Sequence, residues 1–153
     1  MSRPVLVSAC LLGLPTRYDG KSKRHDATLD WLKKQGLTPV PVCPEQLAGL
    51  ATPRPRTFFS SGDGTAVLNR TGSVVSEHGD DMNERFRLGA HRTLEVARLC
   101  GAQEALLKER SPSCGVRTIY RGEDKVPGQG VCAALLQQNG IAILSEEDIP
   151  VKT

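Results

Sequence analysis

The sequence predicts an α/β fold of one domain, with a mostly parallel open sheet flanked by helices. Short apolar runs of strand length alternate with helical segments along the chain. The 153 residues, 39% hydrophobic and 24% charged, have the composition of one ordinary globular domain, so we expect residues 1–153 to form it. A parallel sheet joined by right-handed crossovers, as in Rossmann-like folds, is the simplest arrangement for such an alternation.

The first part of the chain predicts two strands and two helical segments. Residues 4–8 form an apolar run typical of a buried strand, and residues 38–42 form a second. Between them, residues 26–35 have helical periodicity that ends at Gly36. A short helical turn is expected after Pro44, because proline is favoured at the first position of a helix.

The stretch from 51 to 80 is less regular. Within it, TAVLNRTGSVVS is interpreted as a β-hairpin, because two apolar, partly β-branched runs flank a turn-forming NRTG segment. We therefore expect a small hairpin insertion, bordered by glycine-rich loops, beside the main sheet.

The last third predicts two helices and two strands. A long helix should begin near Asp81, with Glu84 completing an approximate capping box, and end at Gly101. Residues 104–108 read as a strand that enters the SPSCG loop. GVCAALLQQNG then predicts a helix closed by Gly140, and IAILS a final strand.

Composition argues against several classes of protein. No apolar run approaches the roughly 20 residues of a membrane span, and no signal-peptide pattern is present, so we expect a soluble cytoplasmic protein. A net charge of +3 with only one Trp, two Tyr and three Phe gives no support for extended nucleic-acid binding. Five cysteines without short regular spacing indicate reduced thiols rather than a secreted disulfide framework. Composition leaves the oligomeric state open.

Three cysteines stand where predicted strands end. Cys10, Cys43 and Cys114 follow the runs VLVSAC, TPVPVC and ALLKERSPSC. Ligands of open α/β sheets bind beyond the carboxyl ends of the strands, so thiols 33 and 71 residues apart can converge there. Thiolates are soft ligands suited to zinc, copper(I) or iron–sulfur centres, and three of them leave a coordination position free for a substrate.

The other two cysteines are interpreted as core residues. Cys132 lies in the first turn of an apolar helix, where packing is the common role of a thiol. Cys100 continues a stripe of apolar residues that recur every three or four positions along the long helix, namely Phe86, Ala90, Leu94 and Ala97.

Polar residues near the three thiols are candidates for catalysis or for binding a ligand. Glu45, two residues after Cys43, can act as a general base on a water beside a metal, or simply be an exposed residue of a helix's first turn. The hydroxyls of Ser111 and Ser113 surround the third thiol. The basic residues of RYDGKSKRH and PRPR can receive a phosphate or merely form solvated loops.

Taken together, these motifs resemble the thiouracil desulfurase family of small bacterial proteins. The resemblance spans almost the whole chain, with motif order and spacing in agreement, and is carried by CLLGLPTRYDG, PVCPEQLAGL, TPRPR, FRLGA, LLKERSPSCG and GVCAALLQQNGI. It implies a [4Fe–4S] cluster held only by Cys10, Cys43 and Cys114, with one open iron. It also implies a non-redox desulfuration of a small thiopyrimidine, as base, nucleoside or nucleotide, to uracil and sulfide.

The resemblance and the local chemistry together suggest roles for individual residues. Glu45 is the expected base for the attacking water, and Ser111 should orient that water or protonate the leaving fragment. Ser113 is the alternative to Ser111 and a candidate for substrate binding. Arg17 and Lys21, with Arg54 as a further candidate, are expected to hold a ring oxygen or a phosphate.

Three departures from the family pattern stand out. Thr57, Phe58 and Phe59 follow PRPR where the family more often has a small residue and glutamate, and Cys132 replaces a usual threonine. A fourth thiol that reached the iron would close the catalytic position. The segment after IYRGE is also shorter than is common, which would open one wall of the pocket.

Two other functions are compatible with the chain. A non-catalytic zinc-binding or sulfur-carrying module could use the same three cysteines. A nucleotide-binding regulator has less support, because no GxGxxG or Walker pattern follows the first strand.

Overall fold

The computed structural model describes residues 2–150, so the predicted domain of 1–153 extends slightly beyond the described residues at both ends. Its strands are β1 (Arg3–Ser8), β2 (Leu37–Val42), β3 (Thr57–Ser61), β4 (Ser73–Ser76), β5 (Glu104–Leu107), β6 (Thr118–Arg121), β7 (Asp124–Pro127) and β8 (Ala142–Ser145). Its α-helices are α1 (Asp26–Lys34), α2 (Pro44–Leu47), α3 (Gly64–Leu68), α4 (Asn83–Cys100) and α5 (Val131–Gln138). Short 3-10 turns cover Ala9–Leu12 and Glu146–Asp148.

The main sheet has the spatial order β2-β1-β5-β8, and all three strand pairs are parallel. Helices lie against both of its faces. The α/β fold class predicted from the sequence is therefore confirmed.

Both faces of this sheet are buried, which explains the nearly continuous apolar runs of its strands. Because side chains alternate along a strand, Leu6 and Leu107 join the core formed with α4 and α5. Val7 and Leu106 join a second core that includes Leu32 of α1. The strands are thus sandwiched between helices, and their carboxyl ends open onto loops.

A second, mixed sheet has the order β4-β3-β6-β7. β3 pairs antiparallel with β4 and parallel with β6, and β6 and β7 form an antiparallel hairpin. Phe59, Val74 and Ile119 from this sheet are fully buried in the same core as α4 and α5. The small sheet consequently packs against the main layers and can contribute a wall to a site.

The hairpin predicted in TAVLNRTGSVVS is wrong. Its first half is the helix α3, because Asp63 caps the helix by accepting a hydrogen bond from the Ala66 backbone N–H at 3.1 Å. Its second half is β4, which pairs with β3 across the helix rather than with TAVL. The hairpin of the chain lies instead at β6 and β7.

The boundaries of α4 also differ from the prediction. The helix begins at Asn83 with Met82 as its N-cap, which makes no side-chain capping bond. Glu84 forms ion pairs with Arg87 and Arg70, so the predicted capping box is absent. Gly101 ends the helix in the left-handed conformation, as its sequence position predicts.

No helix within residues 2–150 combines the length and the apolar character needed to cross a membrane.

Candidate functional site

A cavity of about 390 Å³ opens at the carboxyl ends of β1, β2 and β5. Cys10, Cys43 and Cys114 all line it, each from the loop after a different strand. Arg56 and Tyr120 extend the wall from the small sheet. The convergence of three thiols at one sheet edge, expected from the strand-end positions, is what the fold produces.

The loop after β1 holds Cys10 by its backbone. The 3-10 turn places the thiol, and Gly13 reverses the chain with a φ of 99°, a value that L side chains rarely adopt. The carbonyl of Cys10 then accepts hydrogen bonds from the N–H groups of Gly13 at 3.2 Å and Lys23 at 3.0 Å. Cys10 is buried, with 8% of its surface exposed.

Cys43 is the N-cap of the short helix α2, and Glu45 lies in the first turn. The Cys43 carbonyl accepts a hydrogen bond from Leu47 N–H at 2.9 Å, which fixes the thiol relative to the helix. The thiol lies 3.7 Å from Glu45 Oε2, and Glu45 lines the cavity. A close contact with α4 sets the position of α2, since a Cβ at Gly89 would lie 2.3 Å from the Pro44 carbonyl oxygen.

Cys114 lies in a turn organised by Ser111. The Ser111 Oγ accepts hydrogen bonds from the N–H groups of Ser113 at 3.2 Å and Cys114 at 3.1 Å. The Ser113 hydroxyl donates to Cys114 Sγ at 3.6 Å. The start of α5 supports the same turn, because Val131 N–H donates to the Pro112 carbonyl at 2.9 Å.

Glycine at position 130 permits this close approach. A Cβ at Gly130 would lie 2.4 Å from the carbonyl carbon of Ser113, well inside contact distance. The turn that carries the third thiol is therefore packed directly on the backbone of α5.

A buried carboxylate anchors the far side of this turn. Glu109 is 1% exposed, and its Oε1 accepts hydrogen bonds from three consecutive N–H groups, those of Val116, Arg117 and Thr118, at 2.7, 2.8 and 3.0 Å. Its own N–H donates to Glu146 Oε1 at 2.7 Å. Glu109 thus fixes the chain on both sides of the Cys114 turn.

The thiols of this site are not activated nucleophiles. Burial raises the pKa of Cys10 to about 11, although Lys108 opposes the shift, and burial with the Glu45 charge raises the pKa of Cys43 to about 11. Burial also raises the pKa of Cys114 well above its ordinary value. Such thiols stay protonated at neutral pH unless a bound cation stabilises the thiolates.

The spacing of the thiols bears on the kind of centre they suit. Between Ser2 and Pro150, no three His, Cys, Asp or Glu side chains are grouped closely enough to hold one metal ion. The cysteines instead surround the cavity. Three thiols around one space fit a polynuclear iron–sulfur centre, in which each cysteine binds a different iron.

The remaining predicted residues divide into two groups. Glu45, Ser111, Arg17 and Arg54 line the cavity together with the three cysteines. Lys21 and Ser113 do not line it: Lys21 is exposed outside it, and Ser113 is buried behind the thiol that it contacts. Lys23, two residues further along the loop, lines the cavity where Lys21 was expected.

The two cysteines interpreted as core residues differ in burial. Cys132 is fully buried in the core, where burial raises its pKa to about 12. Cys100 is only half-buried at the end of α4, against the edge of that core. Neither lines the cavity.

Several lining residues were missed from the sequence. Lys108 lies beside the SPSC motif and forms a salt bridge to Glu146 at 3.0 Å. Its position directly after a buried strand was a usable signal. Arg56 belongs to the basic PRPR segment that the sequence offered as a phosphate site, whereas Tyr120 had no signal, because its placement depends on β6, which the sequence did not predict. The Arg56 guanidinium lies 5.3 Å from the centre of the Tyr120 ring.

Comparison with known proteins identifies the family. Residues 5–148 match the model of the family described as 2-thiouracil desulfurase. The uncharacterized protein YbbK of Bacillus subtilis (strain 168) is 38% identical over 148 residues, which cover 95% of this chain and 97% of that protein. A solved structure, the [4Fe-4S]-dependent thiouracil desulfidase TudS, is 40% identical with a TM-score of 0.83, covering 97% of this chain and 94% of its own. The chain therefore belongs to the 2-thiouracil desulfurase family, as its motifs predicted, and is an enzyme of that family.

Proposed function

We propose that this enzyme removes sulfur from thiouracil, as the base, nucleoside or nucleotide, in an iron–sulfur-dependent reaction without net redox change. Water adds to the ring carbon that bears the sulfur, and uracil and hydrogen sulfide are released. The carbon has the same oxidation level in C=S and C=O, so no external oxidant or reductant is required. The observation that carries this proposal is the convergence of three cysteines with Glu45 and Ser111 on one cavity.

Cys10, Cys43 and Cys114 would hold a [4Fe–4S] cluster with one open iron. When bound, such a cluster supplies a Lewis acid that takes up sulfur and polarises the C=S bond. The assignment rests on position, because these three cysteines line the cavity whereas Cys100 and Cys132 do not.

Glu45 is the group we assign as general base. It lines the cavity two residues from a cysteine ligand and accepts the proton of the attacking water. Its side chain is 13% exposed, so the carboxylate is held in a defined place rather than free in solvent.

Ser111 is assigned a donor role. Its oxygen accepts two backbone hydrogen bonds, and its O–H donates to Ser113 Oγ at 3.0 Å, because the Ser113 hydroxyl itself donates to Cys114. Rotation of the Ser111 hydroxyl towards the cavity would redirect this donor to a water or to the substrate. Ser113 instead donates to the Cys114 sulfur, and we assign it to the ligand rather than to the substrate.

The cavity wall carries an excess of positive charge. Arg54, Lys108 and Arg110 pair with glutamates, and Arg17 pairs with Asp19. The wall also includes Lys23 and Arg56. These cations suit ring oxygens or a phosphate, so Arg17 and Lys23 are our candidates for substrate binding.

The test begins with protein purified without oxygen. A cluster gives brown protein with about four iron and four sulfide per chain, and the protein releases sulfide from 4-thiouracil. Cys10→Ser, Cys43→Ser and Cys114→Ser should each abolish the cluster and the release of sulfide, while Cys132→Ala should keep the cluster. A colourless parent protein that binds zinc and releases no sulfide would establish the alternative of a non-catalytic metal-binding module.

A second measurement separates catalysis from cluster binding. Glu45→Gln keeps the size of the side chain and removes the base, so turnover should fall by roughly a hundredfold or more with iron and sulfide contents unchanged. Parental turnover in a fully loaded Glu45→Gln protein would show that another group accepts the proton.

A further inference from the structure

Arg54 is tied to the protein by both terminal nitrogens of its guanidinium. Nη1 donates to Thr52 Oγ1 at 2.8 Å and to the Ala51 carbonyl at 3.4 Å. Nη2 donates to the Thr16 carbonyl at 2.9 Å, to Glu45 Oε2 at 3.3 Å and, more weakly, to Cys43 Sγ at 3.9 Å. The side chain is only 9% exposed. The cation is therefore fixed between the loop after β1 and the helix α2.

The two carboxylate oxygens of Glu45 have different surroundings. Oε2 lies 3.3 Å from Arg54 Nη2 and 3.7 Å from Cys43 Sγ. Oε1 is buried and accepts no hydrogen bond from the protein within the described part of the chain. Oε2 is therefore the oxygen that neighbouring protein groups hold, whereas Oε1 is closed off from solvent.

We propose that Arg54 is a positioning residue that acts on the desulfuration through Glu45. It contacts Glu45 Oε2 at 3.3 Å and thereby fixes the orientation of the carboxylate that receives the proton of the attacking water. This inference rests on the proposed function, in which Glu45 is the base.

The contacts of Arg54 argue against the substrate-binding role considered for it from the sequence. Its terminal N–H groups are directed to the protein acceptors named above, and its charge is balanced by Glu45. Arg17 and Lys23 lack such buried partners: the pair of Arg17 with Asp19 is long, at 3.6 Å, and partly exposed. A substrate anion would therefore meet these residues, and loss of Arg54 should change kcat rather than KM.

The experiment is a double-mutant cycle on the loaded enzyme with Arg54→Met, Glu45→Gln and the double variant. Alone, Arg54→Met should lower kcat about tenfold with KM changed less than about twofold, and in the Glu45→Gln background it should lower kcat by less than about twofold. Arg54→Lys, which keeps the charge and loses the two-nitrogen geometry, should recover part of the loss.

Three measurements do not depend on turnover. Iron and sulfide contents and the dissociation constant of the product uracil should match the parent in Arg54→Met. The urea midpoint of unfolding should fall less when Arg54→Met is made in Glu45→Gln than in the parent, because the ion pair is already broken there. If Arg54→Met does not fold, the same cycle is measured with Arg54→Lys.

Losses of kcat that multiply in the double variant would overturn the inference, since Arg54 would then act independently of Glu45. A raised KM with parental kcat would overturn it as well and assign Arg54 to the substrate. A loaded parent that releases no sulfide would instead overturn the proposed function, and with it the catalytic part of this inference.

Discussion

Replacing Glu109 by leucine should strongly destabilise the protein. The change removes the acceptor of three backbone N–H groups, buried at Val116 and partly buried at Arg117 and Thr118. Each buried donor left without an acceptor costs about 1–3 kcal/mol, and relaxation or a penetrating water reduces the sum. We expect a loss of about 3–5 kcal/mol in the free energy of unfolding, near the upper end for single substitutions.

Glu109→Gln is the matched comparison, because it keeps an oxygen acceptor and removes only the charge. Hydrogen bonds to a charged group are stronger than neutral ones, so this change should cost about 1–3 kcal/mol. Glu123→Gln, an exposed glutamate in the turn between β6 and β7, is the control and should leave stability within about 0.5 kcal/mol of the parent.

The effect of Glu109 should depend on pH. Burial acts to raise its pKa, but the backbone N–H groups of Arg117, Thr118 and Val116 outweigh burial and hold the pKa below its ordinary value. A carboxyl with a lowered pKa in the folded state stabilises fully above its unfolded pKa, about 4.3, and loses this contribution as the pH falls through the folded value. The difference in the free energy of unfolding between the parent and Glu109→Gln should therefore become smaller below about pH 4.

Urea unfolding of the cluster-free proteins at neutral and acidic pH measures both effects. A leucine variant within about 1 kcal/mol of the parent would show that Glu109 does not anchor the turn. If the difference in the free energy of unfolding between the parent and Glu109→Gln stayed constant down to about pH 3, the ionisation of Glu109 would not be coupled to folding.

Three further predictions concern other parts of the site. Gly89→Ala should push the Pro44 carbonyl away from α4, which should lower the iron content and the free energy of unfolding in urea, the latter by about 1–3 kcal/mol. Unchanged iron content would show that the contact with α4 does not set the position of Cys43. Lys23→Gln should raise the KM for thiouracil nucleotides, whereas Lys21→Gln should not; steady-state sulfide release decides between them, and the opposite order would favour the assignment made from sequence. Cys100→Ala should keep full iron content and lose less than about 2 kcal/mol, because the thiol is only half-buried; loss of iron would place it in the metal site.

The main sheet and the convergence of Cys10, Cys43 and Cys114 on one cavity were predictable because their signals are local. Each strand of the parallel sheet is an apolar run. Cys10 and Cys43 come closely after such a run, and Cys114 lies in the SPSCG loop that follows one. The rule that ligands gather at the carboxyl ends of parallel strands then places the three thiols together.

The small sheet was not predictable by the same reasoning. TAVL has the apolar composition of a strand, yet the Asp63 side chain caps it as a helix, and β4 finds its partner in β3 before that helix. β6 and β7 are four residues each and carry few apolar residues, so periodicity gives little indication of them.

The finer structure of the site depends on contacts between distant segments. Glu109 reads as one more charged residue in KER, and only the fold shows three N–H groups directed at its carboxylate. Arg54 likewise reads as a basic loop residue until the fold brings it to Glu45. Lys21 and Lys23 are equivalent in sequence, and the direction of one loop decides which of them lines the cavity.

Because each cysteine follows a different strand, the chain should fold before iron and sulfide are inserted. β1 and β5, which carry the loops of Cys10 and Cys114, pair across about a hundred residues of chain, so the three sulfurs are widely separated until the sheet has formed. The loops are held by protein groups alone, including the Ser111 hydroxyl, the N–H of Lys23 and the amide of Val131. The polypeptide should accordingly fold first and bind iron and sulfide afterwards. A zinc finger unfolds when its metal is removed, whereas this protein should stay folded after chelation and should bind a new cluster.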